Sequence, residues 1–161
     1  MVSNISLNQF APNSPVAGLY VYMANLPQLH NVIVSATQTT GLVAGTVLTL
    51  DTTSTNTNAP IAKQAAVTDP IFGVLTYNPV TSVFNSGDRI SVARENDIIW
   101  MPAAAAIATG ATLYFTTDNE VTSTATAGNS IVGKALTPAT AKGDFVQVEL
   151  SFAQTQAAGG S

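Results

Sequence analysis

Residues 110–152, GATLYFTTDNEVTSTATAGNSIVGKALTPATAKGDFVQVELSF, decide the fold class. Near the end of this stretch Val146, Val148, Leu150 and Phe152 alternate with Gln147, Glu149 and Ser151. A period of two puts the apolar set on one face of an extended strand and does not fit a helix. Upstream, the runs LYF and SIVGKAL are bounded by Gly, Asp, Asn, Thr and Pro, the residues of strand ends and turns. The pair Gly143-Asp144 stands where a tight turn should deliver the chain into the final strand. The stretch reads as three or four short strands.

A looser copy precedes it, from Gly45 to Ala93. Gly45 corresponds to Gly110, Gly73 to Gly133, and Gly87-Asp88 to Gly143-Asp144, in the same order and with longer loops in the first copy. Three ordered correspondences favour a pseudo-repeat over a chance likeness of two β-rich segments. Between the copies, Ile98 to Met101 reads as a strand carrying Trp100. Pro102 stops it, and Ala103 to Ala108 is either one helical turn or a packed loop. Before the copies, Val16–Met23 and Asn31–Ala36 are further strand candidates, and Thr52–Asn58 (TTSTNTN) is a polar, solvent-facing loop. The expected fold is all-β: a small β-barrel or β-sandwich with pseudo-repeated halves and an extended N-terminal arm. Its parts are an arm over 1–15, a β-domain over 16–152 with repeats at about 41–93 and 103–152, and a flexible tail over 153–161. In the arm, Pro12 and Pro15 oppose regular pairing and Ile5, Leu7 and Phe10 stand isolated among polar residues. It is either a frayed terminus or a binding arm that orders on a partner.

Composition narrows the function. The chain has 161 residues, 46% of them hydrophobic, which is enough to bury the core of one domain. Only 9% are charged, against a usual quarter or so, so Thr, Ser, Asn and Gln carry the polar surface. A surface so poor in charge is weakly protected against association and is expected to be covered by partners. Five scattered cations and a net charge of −4 argue against nucleic acid, whose binding needs clustered Lys and Arg. No apolar run reaches the roughly 20 residues of a membrane helix, and the opening residues lack the basic and apolar regions of a secretory leader. With no Cys, disulfides, thiolate metal sites and cysteine nucleophiles are absent.

Reactive constellations are missing as well. His30 is the only histidine, with no carboxylate in the neighbouring ANLPQLHNV, so it reads as a surface or satisfied loop residue. Asp88, Glu95, Asp97, Asp118, Glu120 and Asp144 sit beside turn residues or strand boundaries, as acids with turn and solubility roles do. Asp118-Asn119-Glu120 lacks the loop of a calcium site, and no G-x-S-x-G elbow is present. The reading is not an enzyme, with no cofactor and no metal. Trp100 is either a core residue at the junction of the copies or an interface aromatic.

In their order, GATLYFTTDNEVT, SIVGKALTPAT and GDFVQVELSF, with AGTVLTLD, PIFGVL, GDRISVA and the linking DIIWMPAAAAIATG, resemble the small capsid decoration (cement) proteins of tailed bacteriophages. The resemblance covers about Gly41 to Phe152 and rests mainly on turn glycines and strand apolars. It implies a compact β-barrel or β-sandwich, trimeric, on the outer surface of a phage head. There such a protein would bridge major capsid protein subunits and brace the expanded shell. The implied partners are the major capsid protein and the chain itself as a homo-oligomer, with no nucleic acid and no membrane. Contact is expected through Ile5, Leu7 and Phe10. Two alternatives stand beside this one: another virion component, such as a head-fibre base or minor tail protein, and a carbohydrate-binding β-sandwich with Trp100, Tyr20 and Tyr22 as stacking platform.

Overall fold

The computed structural model describes residues 15–22, 30–56 and 58–154. They form eleven strands and no helix: β1 (Tyr20–Tyr22), β2 (His30–Val34), β3 (Val47–Leu50), β4 (Ile61–Gln64), β5 (Gly73–Leu75), β6 (Arg89–Ala93), β7 (Ile98–Pro102), β8 (Thr112–Phe115), β9 (Val121–Thr122), β10 (Ser130–Ala135) and β11 (Phe145–Gln154). The fold is all-β. Strands β2-β4-β3-β5-β6 close into a barrel, and β1-β7-β11-β10-β8-β9 make a six-stranded sheet curled into a half-barrel. Barrel closure comes from a parallel contact of β2 with β4, Ile33 opposite Ile61 and Val34 opposite Ala62.

Both units follow one hydrogen-bonding plan. In the barrel the Gly45 amide donates to the Leu75 carbonyl and the Leu75 amide to Thr46. In the sheet the Gly110 amide donates to Ala135 and the Ala135 amide to Ala111. Leu42 and Phe84 bridge reciprocally, as do Ile107 and Ala139. The Gly87 amide donates to Val34 and the Val34 amide to Asp88; Gly143, Ala103 and Asp144 repeat that triangle. This plan also takes in β2 and β7, which precede the stretches matched by sequence. Gly87 and Gly143 stand at φ of +87° and +89°, a backbone region that costs a side-chain-bearing L-residue energy.

Period-two alternation feeds two cores from the same strands. Leu48, Leu75 and Val92 point into the barrel with Val32, Val34 and Ile90. Their neighbours Val47, Val74 and Ala93 point outward, into a second core shared with Ile99, Met101, Leu113, Val132, Val146, Val148 and Leu150 of the sheet. Barrel and half-barrel are thereby one packed body. At about 1.5–3 kcal/mol for each large apolar side chain removed from water, this shared layer dominates their association. The segment Ala103 to Ala108 is a packed loop, with Ala103 and Ile107 each in a β-bridge. Met1 to Ser14, which include Ile5, Leu7 and Phe10, lie outside the described residues, as does the tail beyond Gln154.

Candidate interaction surfaces

The carboxylates serve the turns. Asp69, Asp88 and Asp97 each accept through Oδ2 the amide three residues earlier, from Ala66 (2.9 Å), Asn85 (2.7 Å) and Arg94 (2.9 Å). Asp144 accepts from the Ala141 and Thr140 amides and from Thr140 Oγ1, and these bonds hold its carboxyl below the usual range. Glu120, in the turn built by Asn119 at φ +62°, pairs with Lys142 at 3.3 Å. Among the described residues, no three His, Cys, Asp or Glu side chains gather as a metal site would require. His30 opens β2 as an exposed residue opposite Val92.

Asp51 is the carboxylate most fully engaged by its own chain. It caps β3 at the barrel end, beside a depression of about 460 Å³. The Ser35 hydroxyl and Thr37 Oγ1 donate to Oδ2, and the Thr53 amide (3.0 Å) and Thr53 Oγ1 (2.6 Å) donate to Oδ1. Hydrogen bonds to the charged form, led by Ser35 and Thr53, hold this carboxyl far below the ordinary range. With its oxygens engaged by its own chain, Asp51 locks the Thr-rich loop and is not poised for acid–base work.

Trp100 lies on β7 opposite Gln147 of β11. Its neighbours Ile99 and Met101 are fully buried, and the alternation turns Trp100 to the other face, where it is half-buried and belongs to neither core. Of the two readings of Trp100, core residue or interface aromatic, this half-buried placement outside both cores departs from the first. Its backbone binds the N-terminal segment: the Gly18 amide donates to the Trp100 carbonyl (2.8 Å) and the Trp100 amide to Leu19 (2.9 Å). Tyr20 on β1 packs against the shared core and directs its hydroxyl to the Val92 carbonyl at 3.5 Å. Burial, with Asp97 nearby, pushes its phenol up beyond the usual tyrosine range. Committed to the core, Tyr20 is not available to the stacking platform that a carbohydrate-binding reading requires.

Two surface regions combine apolar exposure with concavity. One, of about 430 Å³, lies beside the N-terminal segment and is lined by Val16, Ala17, Val43, Tyr77, Pro79 and Val80. Val80 is 90% exposed, on a turn fixed by Asn78 Oδ1, which accepts from the Val80 and Thr81 amides. The other, also about 430 Å³, lies among β3, β4 and the segment entering β5, and holds two of the five cations, Lys63 and Arg94. Sequence reading missed this second region, because its cations stand 31 positions apart and only strand pairing joins them.

The described residues form an all-β body, and the chain is poor in charge. Comparison with known proteins supplies the assignment. The family model of the phage cement protein matches residues 28–150, so this chain belongs to the phage cement protein family, whose members are virion components. No curated protein matches the chain. Among solved structures, it is similar to the N base of the head fibre protein gp8.5 of bacteriophage phi29. The likeness has a TM-score of 0.52 at 16% identity and covers 75% of this chain and 91% of that one. At that identity the likeness concerns the fold.

Proposed function

We propose that the protein is a decoration protein that attaches to the outer surface of an expanded phage head, bridges neighbouring major capsid subunits and braces the shell. The observation that carries this reading is the family match over residues 28–150. Physical features agree with it. The sheet ends on both sides in short strands, β1 and β9; β9 is bridged only at Val121, to Ala103, and backbone left uncovered at these ends can pair with a partner's. Few charges guard the surface, so contact with capsid or with identical copies meets little desolvation of ions. The protein acts as a homo-oligomer, a trimer, and repetition over a symmetric shell supplies avidity. Ile5, Leu7 and Phe10 of the N-terminal arm are assigned to capsid contact, with Trp100 as an interface aromatic. The role is structural and without catalysis or cofactor.

Co-sedimentation with expanded, undecorated capsids tests the reading. Binding at micromolar protein, with a raised disruption temperature of the shell, is the expected result. Absence of binding at that concentration refutes it. A second reading, the base of a head fibre, is favoured by the likeness to the phi29 head-fibre base. It predicts attachment at few sites per head with no change in shell stability.

A further inference from the structure

We infer that the depression among β3, β4 and the segment entering β5 is a docking site for a segment of the capsid protein that offers a carboxylate beside an apolar side chain. The inference rests on the capsid-binding reading and adds the surface and the chemistry of the contact.

The chain carries a net charge of −4 and five cations, yet Lys63 and Arg94 meet in this one depression. Only one carboxylate, Asp69, accompanies them, and its Oδ2 is turned to the Ala66 amide of its own turn. Among the described residues the side-chain ion pair is Lys142–Glu120, elsewhere on the surface, so neither cation here has a carboxylate at ion-pair distance. Two cations against one acid leave a local positive field on an acidic protein.

Arg94 is held in a fixed posture. Its guanidinium lies 4.1 Å from the Phe72 ring centroid, and Nη1 donates to the Phe72 carbonyl. One edge is thus occupied while other N–H groups of the planar fork remain to receive a carboxylate. The Lys63 ammonium, on β4 across β3 from the segment entering β5, is a second donor without a hydrogen bond among the described residues. Ile71, Phe72 and Leu50 give the depression its apolar part, and Leu50 is 43% exposed. Exposed leucine beside preset cations matches a ligand with both characters. A purely apolar partner would leave both cations desolvated and unpaired, and a purely ionic one would leave Leu50 in water.

The test uses full-length chain and expanded, undecorated capsids, with affinity measured by co-sedimentation at low and high salt. Lys63→Glu is the probing variant, because Lys63 anchors nothing whose loss would unfold the barrel. Arg89→Glu makes the same change in net charge at an exposed position outside the depression. Lys63→Glu should weaken capsid binding about tenfold or more at low salt and flatten its salt dependence. Arg89→Glu should stay within about twofold of the parent, screened from the contact. Unchanged binding by Lys63→Glu, or equal loss in both variants, overturns the inference. If the unmodified chain fails to bind, the capsid reading itself falls, and this inference with it. If Lys63→Glu alters sedimentation of the free protein but leaves capsid binding intact, the occupant is a second copy and the capsid assignment is overturned.

Discussion

Replacing Gly133 by alanine should be far more damaging than replacing Gly143, although both glycines belong to the same hairpin. Gly133 lies in β10 between β8 and β11, at the point where the register shifts in both pairings. A Cβ built there would meet the Glu149 carbonyl oxygen at 2.1 Å, with the Glu149 carbonyl carbon and Val148 Cγ1 both at 3.0 Å. The obstruction is backbone of the adjacent strand, so no rotamer change relieves it. β10 and β11 must part by about 1 Å in the middle of the sheet, beside the fully buried Val148 and Leu150. Overpacking of this kind costs about 1–3 kcal/mol where side chains can adjust, so a clash with backbone belongs at or above the top of that range. At ~2–4 °C per kcal/mol for a chain of this size, Gly133→Ala should lower the melting temperature by about 10 °C. Gly143 has open space around its Cβ position but a φ of +89°, so alanine there should cost about 1–2 kcal/mol from backbone strain alone. Calorimetry on the two variants and the parent decides the matter. A Gly133→Ala protein that melts within about 2 °C of the parent, or no lower than Gly143→Ala, would refute the close-approach argument.

Thermal unfolding should be one transition, with calorimetric and van't Hoff enthalpies equal, because Val47, Val74 and Ala93 of the barrel are part of the sheet's core; two separated transitions would contradict a shared layer. Leu75→Ala, at a fully buried barrel position, should cost about 2–5 kcal/mol in denaturant titration without splitting that transition. Stability should hold from neutral pH down to about pH 5 and fall below pH 4. The folded-state pKa of Asp51 is depressed, so its contribution is complete above the ordinary carboxyl value of 3.8 and is lost as pH drops through the folded value. Asp51→Asn should melt lower at pH 7 and show a shallower acid limb, and an unchanged acid limb would exclude Asp51 as its source. Deleting residues 1–14 should weaken capsid binding while leaving the melting temperature nearly unchanged; a large drop would make the arm part of the fold.

The sequence made the strands legible wherever a local rule sufficed. Alternation over Val146 to Phe152 is a local rule, and β11 follows it with Val146, Val148 and Leu150 buried. Trp100 shows where local rules end. An aromatic between apolar neighbours looks like core, yet in a strand its neighbours Ile99 and Met101 take the buried face and turn it outward. The β5 run Gly73–Leu75 is buried throughout, which sequence alone cannot divide between a buried strand and a packed loop. The structure explains it by two cores, one on each side of the barrel wall. The cation pair of the docking depression was invisible because no period or motif links position 63 to position 94. Likewise, nothing near His30 or along the Thr-rich loop announced that Ser35, Thr37 and Thr53 would converge on Asp51.

The two units share a plan but differ in closure, and the difference decides what the N-terminal segment is tied to. In the barrel, β4 lies along the free edge of β2 and completes the ring. In the sheet, β9 has only two residues and makes a single parallel bridge, Val121 with Ala103, just past the end of β7. The rest of that edge is occupied by β1, running antiparallel with Tyr20 opposite Ile99 and Tyr22 opposite Ile98. The N-terminal segment thus fills the place that a longer β9 would take. It is also tied to the barrel, since the Tyr77 amide donates to the Gly18 carbonyl at 3.0 Å while the Gly18 amide donates to Trp100. Tyr20, packed in the shared core with its hydroxyl at Val92, adds a side-chain anchor spanning both units. Residues 15–22 are therefore tied to both units by backbone hydrogen bonds, and not to one exposed loop.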